Sequence, residues 1–298
     1  MDLKDYSDLK INDDLVSNGG KYRDIKISGD GTINGDVTCR SFSINGDADI
    51  NGNVFCQDLF KVSGDLDIKN TLTCGIMKIS GDAEFHDNLL VKGELKVSGD
   101  MDVDGSVNCG TLRVSGDIDI KKDLVCEGIF HLSGDGTFGG NLKGDAIKVS
   151  GDIEQVMKIT GGEIVISGDV YAKEGIEGEK IVLSGDTNCD GLINGDEIYI
   201  SMSGNHEIKE IGGKVVRVSD DMNKFGMTIS LFSFTPKSKK GLHCKCIEGD
   251  EILLENSTVD VVRGKNIIIG KGSIINKVEY TGELKLEEGG IVNQSIKI

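Results

Sequence analysis

Several groups of residues in this chain have types and spacings that could do chemistry. Asp186-Thr187-Asn188-Cys189-Asp190-Gly191-Leu192-Ile193-Asn194-Gly195-Asp196-Glu197 satisfies the pattern D-x-[DN]-x-[DN]-G-x5-E in full. In a calcium loop of that pattern Asp186, Asn188, Asp190 and Glu197 bring oxygen ligands to one hard cation. His243-Cys244-Lys245-Cys246 offers the ligand types of zinc, but no second Cys pair completes four ligands. Met227-Thr228-Ile229-Ser230-Leu231-Phe232-Ser233-Phe234 is followed by Lys237, Lys239 and Lys240. Apolar residues next to lysines could dip into an anionic membrane surface through Leu231, Phe232 and Phe234. The other reading is a loop packed on the protein body. His86, His131, His206 and His243 form no constellation in sequence, and no G-x-S-x-G, Walker loop or dinucleotide glycine motif is present.

The elements that must position these residues come from an internal repeat. A Ser/Asn-Gly-Asp triplet places Gly at 29, 46, 64, 81, 99, 116, 134, 151, 168 and 185, in steps of seventeen or eighteen. Within each unit, apolar residues come as i, i+2 pairs such as Leu89/Val91, Leu95/Val97 and Met101/Val103. Such a pair is two side chains on one face of a short strand. Three pairs per unit predict an all-β chain, a three-sided parallel β-helix with one coil per repeat and about 13 coils. The triplet glycine is expected at a corner that needs positive φ. The pattern weakens at Gln155–Gly162 and breaks near 219–242, then resumes with pairs including Val259/Val261, Val278/Tyr280 and Leu284/Leu286. The expected organisation is a polar segment over 1–20, a main β-helix over 21–218, an interrupting loop over 219–242 and C-terminal coils over 243–298.

This frame reinterprets the candidate sites. Cys39, Cys56, Cys74, Cys109 and Cys126 occupy one slot of successive coils, with Val91 filling the same slot. A small apolar slot explains them better than a disulfide or a metal. Cys244 and Cys246 read as an inward strand pair. The triplet aspartates Asp30, Asp47, Asp65, Asp82, Asp100, Asp117, Asp135, Asp152, Asp169 and Asp186 form a second column. Stacked carboxylates repel by on the order of 1 kcal/mol in water, so their oxygens should accept corner N–H groups. Cation binding is the alternative. The calcium pattern at 186–197 is largely generated by the repeat itself, and strand pairs Ile181/Leu183 and Ile198/Ile200 flank it where helices should be.

Composition narrows the classes further. The 33 Lys and Arg stand against 50 Asp and Glu, a formal charge of −17. That surface repels phosphate backbones, so nucleic acid is excluded as an expected partner. No apolar run approaches a membrane span, and no signal peptide is visible. Eight Cys without export suggest reduced thiols in a cytoplasm. No enzyme activity and no cofactor are expected.

The phased repeats, such as Ile27-Ser28-Gly29-Asp30-Gly31-Thr32-Ile33-Asn34-Gly35-Asp36-Val37, resemble those of bactofilins, bacterial polymer-forming cytoskeletal proteins. So does the tail from Glu248-Gly249-Asp250 through Val261-Val262-Arg263-Gly264-Lys265-Asn266 to Val278-Glu279-Tyr280-Thr281-Gly282. The resemblance covers most of the chain from about Lys21 onward. It implies a right-handed β-helix that assembles end to end into filaments without nucleotide. Self-association is also expected because a β-helix end exposes unpaired backbone groups, and the apolar pattern runs to Ile298. The expected contacts are Tyr22, Ile25 and Ile27 at one end and Leu284, Leu286, Ile291, Ile296 and Ile298 at the other. Leu3, Tyr6 and Leu9 would suit one capping helical turn. The competing readings are a monomer with frayed ends, a β-helical enzyme acting on sugars or acyl groups, and a calcium-binding adhesive rod.

Overall fold

The computed structural model describes residues 3–12, 14–219 and 241–298. These form parallel strands stacked as a β-solenoid of about 16 turns, without helix. Two compact units divide at Lys148/Val149. The turn count exceeds the expected 13. An additional turn forms near the N-terminus. One turn near the C-terminus is short, Cys244 stacking directly on Val259, a smaller step than any between triplets.

From Ile25 onward, each turn of the first unit buries three pairs. One turn runs through β10 (Ala83–Phe85), β11 (Leu89–Val97) and the Ser98-Gly99-Asp100 corner. Ala83/Phe85, Leu89/Val91 and Leu95/Val97 are all buried. The alternating length of successive turns has a single cause. Val91 to Leu95 spans one residue more than Cys74 to Met77, and the ladder shifts register there. The same shift falls between Cys56 and Leu59. A one-residue bulge at one corner therefore absorbs the extra residue in alternate turns.

Leu3 to Tyr6 makes one turn, the Tyr6 N–H donating to the Leu3 carbonyl at 3.2 Å with Leu3 buried, but Leu9 belongs to a strand and not to that turn. β1 (Leu9–Ile11) pairs with β3 (Asp24–Ile27), and β2 (Leu15–Lys21) pairs with β4 (Gly31–Cys39). Leu9/Ile11 continues the period-2 pattern onto Ile25/Ile27, so stacking satisfies its backbone better than an isolated helical turn could.

The second unit uses longer strands that bend without leaving the ladder. β18 (Ile153–Ile166), β19 (Val170–Leu183), β20 (Thr187–Ile200) and β21 (His206–Val218) pair in sequence. β22 (Leu242–Leu254), β23 (Ser257–Ile269), β24 (Ile274–Leu286) and β25 (Ile291–Lys297) continue the stack. β21 and β22 pair directly, Ile208 on Cys244 and Val216 on Ile252. β21 and β22 are thus consecutive turns of the stack. The Ser219 hydroxyl donates to Glu255 Oε2 at 2.6 Å.

The middle side of these turns carries one inward residue instead of two. Ile176, Ile193, Ile211, Ile247, Val262 and Val278 fill it, all buried. Val261, Tyr280 and Cys246 are only half-buried, so the expected pairs Val259/Val261, Val278/Tyr280 and Cys244/Cys246 do not form. The bend between Val259 and Val262 advances the phase by one residue, which a strict i, i+2 reading does not anticipate.

The triplet glycines also differ from expectation. Among the described residues, positive φ occurs only at Gly35, Gly175, Gly272, Gly289 and Asn256. The triplets need glycine for space. A Cβ on Gly46 would stand 2.5 Å from the carbonyl oxygen of Gly29 in the turn below. The same collision repeats at Gly64, Gly81, Gly99, Gly116 and Gly134.

Candidate functional site

The triplet aspartates accept N–H groups from the next turn, not from their own corner. Asp65, Asp82, Asp100, Asp117 and Asp135 each donate a backbone N–H to Oδ1 of the preceding aspartate, at 2.9–3.2 Å. In the second unit Asp169, Asp186 and Asn205 do the same at 2.7–2.8 Å. A charge-assisted bond per turn offsets the repulsion along the column. Replacing Asp100 by Ala leaves the Asp117 N–H to water and is expected to cost about 1 kcal/mol. Asp100→Asn keeps the acceptor and removes one like charge, so its urea midpoint should equal or exceed that of the parent. Equal losses in both variants would show that the ladder is not the reason for aspartate here.

The calcium-loop residues lie on an extended strand. Thr187–Ile200 is β20, in register with β19 and β21. Asp186 accepts the Asn205 N–H at 2.8 Å, Asp190 the Tyr171 hydroxyl at 3.0 Å and Glu197 the Tyr199 hydroxyl at 3.1 Å. Asn188 is exposed on the same strand. At a rise of about 3.3 Å per residue the four side chains spread along the strand instead of wrapping one point. Flanking ladders decide this, because every residue of the pattern can also be strand.

All eight cysteines are free thiols. Cys39, Cys56 and Cys74 stack in register, as do Cys109 and Cys126, with Val91 between Cys74 and Cys109. Burial pushes the Cys74 thiol up, and pushes Cys244 up to about 12. These are packing thiols. Cys246 stands apart, near Glu248 at 3.9 Å and Arg263 at 3.7 Å.

The expected assembly residues divide differently from the sequence reading. Ile25 and Ile27 are buried beneath Leu9 and Ile11 and present nothing at an end. Tyr22 is half-buried, its hydroxyl donating to the Asn18 carbonyl at 3.2 Å. Ile291 shares the outward column of Thr258 and Ile274, and Ile296 sits opposite Glu279, so both face sideways. Leu284 and Leu286 are axial. They share columns with the buried Ile267 and Ile269, yet β25 covers only the first half of β24. Leu286 is 52% exposed, and Leu284 and Val292 are half-exposed. Ile298 is 75% exposed. Sequence reading misses Val292, which continues the inward column of Ile275. It also misses Leu15, 51% exposed in the column of Gly31 and Ala48. Leu231, Phe232 and Phe234 lie outside the described residues. Among the described residues no helix is long and apolar enough to cross a membrane.

A further site is not anticipated by the sequence reading. β6 (Ala48–Asn51), β8 (Leu66–Ile68), β10, β12 (Met101–Val103) and β14 (Ile118–Ile120) stack in register. Their outward central residues Asp49, Asp67, Glu84, Asp102 and Asp119 are directly opposite one another. Strand spacing of about 4.8 Å makes such like-charge neighbours destabilising. Burial and the adjacent Asp119 push the Asp102 carboxyl up. Beyond the ends of β8, β10, β12 and β14 stand Lys69, His86, Asp104 and Lys121, each donating a backbone N–H to the turn below. Lys69 pairs with Asp67 and Lys121 with Asp119. The signal is present in sequence, where an acidic residue follows each of these triplet aspartates by two positions. It becomes visible only when the units are superposed on the alternating bulge.

No protein-family model matches the chain, and no solved structure matches it. The chain is 31% identical over 102 residues to an uncharacterized protein, YhbF, of Bacillus subtilis. That match takes in 33% of this chain and 39% of YhbF, so the chain spans about two fifths of that relative's length.

Proposed function

We propose that the protein is a structural scaffold that self-associates end to end, in the manner its bactofilin-like repeats imply. One observation carries the reading. Leu284, Leu286 and Val292 continue buried columns of the core but stand uncovered at the last turn. Among the described residues β25 pairs with β24, and no other strand pairing is seen on its far edge. An edge strand beside exposed apolar side chains is a template for another chain. Contact between two such edges closes a dimer, whereas contact with a different surface propagates a filament. The working groups are backbone edges and aliphatic side chains, which need no nucleotide and no catalytic residue.

Sedimentation velocity over a range of concentrations, with negative-stain microscopy, tests this. The parent should show concentration-dependent assemblies. Leu286→Lys combined with Val292→Lys should weaken association at least tenfold, because each lysine must be desolvated in the contact. Ile291→Lys, on the sideways face, should leave association largely intact. A parent that stays monomeric at high concentration, or a double variant that assembles like the parent, overturns the proposal.

A further inference from the structure

Asp67, Glu84 and His86 bring one ligand atom each to within 4.8 Å of one another across two adjacent turns. His86 Nε2 lies 3.2 Å from Asp67 Oδ1 and 3.4 Å from Glu84 Oε1. A tetrahedral ion with ligands at about 2.0–2.1 Å sets its donors about 3.3 Å apart. The imidazole's other nitrogen, Nδ1, is 3.3 Å from Asp104 Oδ2 in the following turn. That is where a second carboxylate holds a metal-binding histidine in the Nδ1–H tautomer and leaves the Nε2 lone pair for a metal. In that tautomer Asp67 Oδ1, Glu84 Oε1 and His86 Nε2 are all acceptors. Asp67 Oδ1 is buried and receives no hydrogen bond.

The cluster has one resident cation. The Lys69 ammonium pairs with Asp67 Oδ2 and lies 3.0 Å from His86 Nε2. It marks where a positive charge belongs, but a single ammonium offsets only part of the charge of Asp67, Glu84 and Asp104. Further along the same column, Asp119 and Lys121 repeat the Asp67–Lys69 pair with a second buried, unbonded Oδ1, but no imidazole. That pair is a built-in comparison lacking the nitrogen ligand.

We propose that Asp67, Glu84 and His86 bind one divalent cation of the zinc class, with Asp104 orienting the imidazole and Lys69 competing for the same place. Mixed carboxylate and imidazole donors suit zinc better than calcium, which prefers six or more oxygens. The ion would staple β8 to β10. This reading is independent of self-association and holds for the isolated chain.

The test is titration of the full chain with zinc chloride at about 0.15 M salt. Calorimetry reads the affinity, and imidazole nitrogen NMR identifies the ligand. The parent should bind at one saturable site with the His86 Nε2 resonance shifting. His86→Ala should lose at least tenfold in affinity. Lys69→Met should gain at least tenfold, and Lys121→Met should gain nothing. These positions face outward, and unchanged far-ultraviolet circular dichroism confirms each fold. Zinc should also raise the melting temperature of the parent and not that of His86→Ala. Absence of saturable binding in both the parent and Lys69→Met overturns the proposal. So does zinc binding unaffected by His86→Ala, which would place the ion elsewhere, as at Cys246.

Discussion

Gly116→Ala is expected to destabilise the protein by about 2–3 kcal/mol, although it adds one methyl group near the surface. The added Cβ would collide with the carbonyl oxygen of Gly99 in the turn below. Backbone cannot swing aside as a side chain does. The two turns would have to separate, and the Asp117 N–H bond to Asp100 would stretch with them. Gly93→Ala makes the same chemical change where the Cβ meets the Gly75 carbonyl oxygen at 3.1 Å, a contact that small shifts relieve. Its cost should be about 1 kcal/mol or less. Urea denaturation of the two variants gives the comparison. Hydrogen exchange should localise the damage to β11 and β13 (Val107–Val114), the strands that lead into Gly99 and Gly116, because solenoid turns contact only their neighbours. Equal losses in both variants would mean that general strand propensity, not close approach, selects glycine in the triplet.

Phe60→Ala should cost about 3–5 kcal/mol, the range for deleting a fully buried aromatic ring. Phe60 is 0% exposed. It stacks on Phe42 of the turn below, with ring centroids 4.9 Å apart and planes at 63°. Met77 covers it from above. A cavity here would lie between two strand ladders, β5 (Ser41–Ile44) and β9 (Leu72–Ile79), whose backbone bonds resist collapse. Phe60→Leu retains much of the volume. Its loss of the edge-to-face pair alone is about 0.5–1.5 kcal/mol. Chemical denaturation checks both values. A Phe60→Ala cost below about 1 kcal/mol would show that the turns close over the gap.

Much of the architecture is legible because repetition amplifies a weak local signal. One i, i+2 pair such as Leu95/Val97 could belong to many folds, but phased recurrence leaves parallel stacking as the way to bury every pair. The same phasing identifies the cysteine column as packing and reads the 186–197 pattern as strand. Where the chain turns a corner with an odd number of residues, a sequence reading slips. Period 2 carried through such a bend points Val261 and Cys246 inward, whereas the bend advances the phase by one. Leu3, Tyr6 and Leu9 suit a helical turn because their spacing fits a helix locally. Only pairing with residues 24–27 reveals a strand at Leu9–Ile11.

The candidate sites depend more heavily on three dimensions. His86 forms no constellation in sequence, since its partners Asp67 and Asp104 lie about one turn before and one turn after it in the chain. Stacking of those turns brings them to 3.2 and 3.3 Å. Sequence by itself determined the all-β repeat, its three inward pairs and the acidic surface, because alternation of apolar and polar residues is a local property that each strand enforces alone. Tertiary structure decided why the triplet holds glycine, which way Ile291 and Leu286 face, and where carboxylates meet an imidazole. Each of those depends on register between turns, and a shift of one residue moves a side chain from the core to the surface.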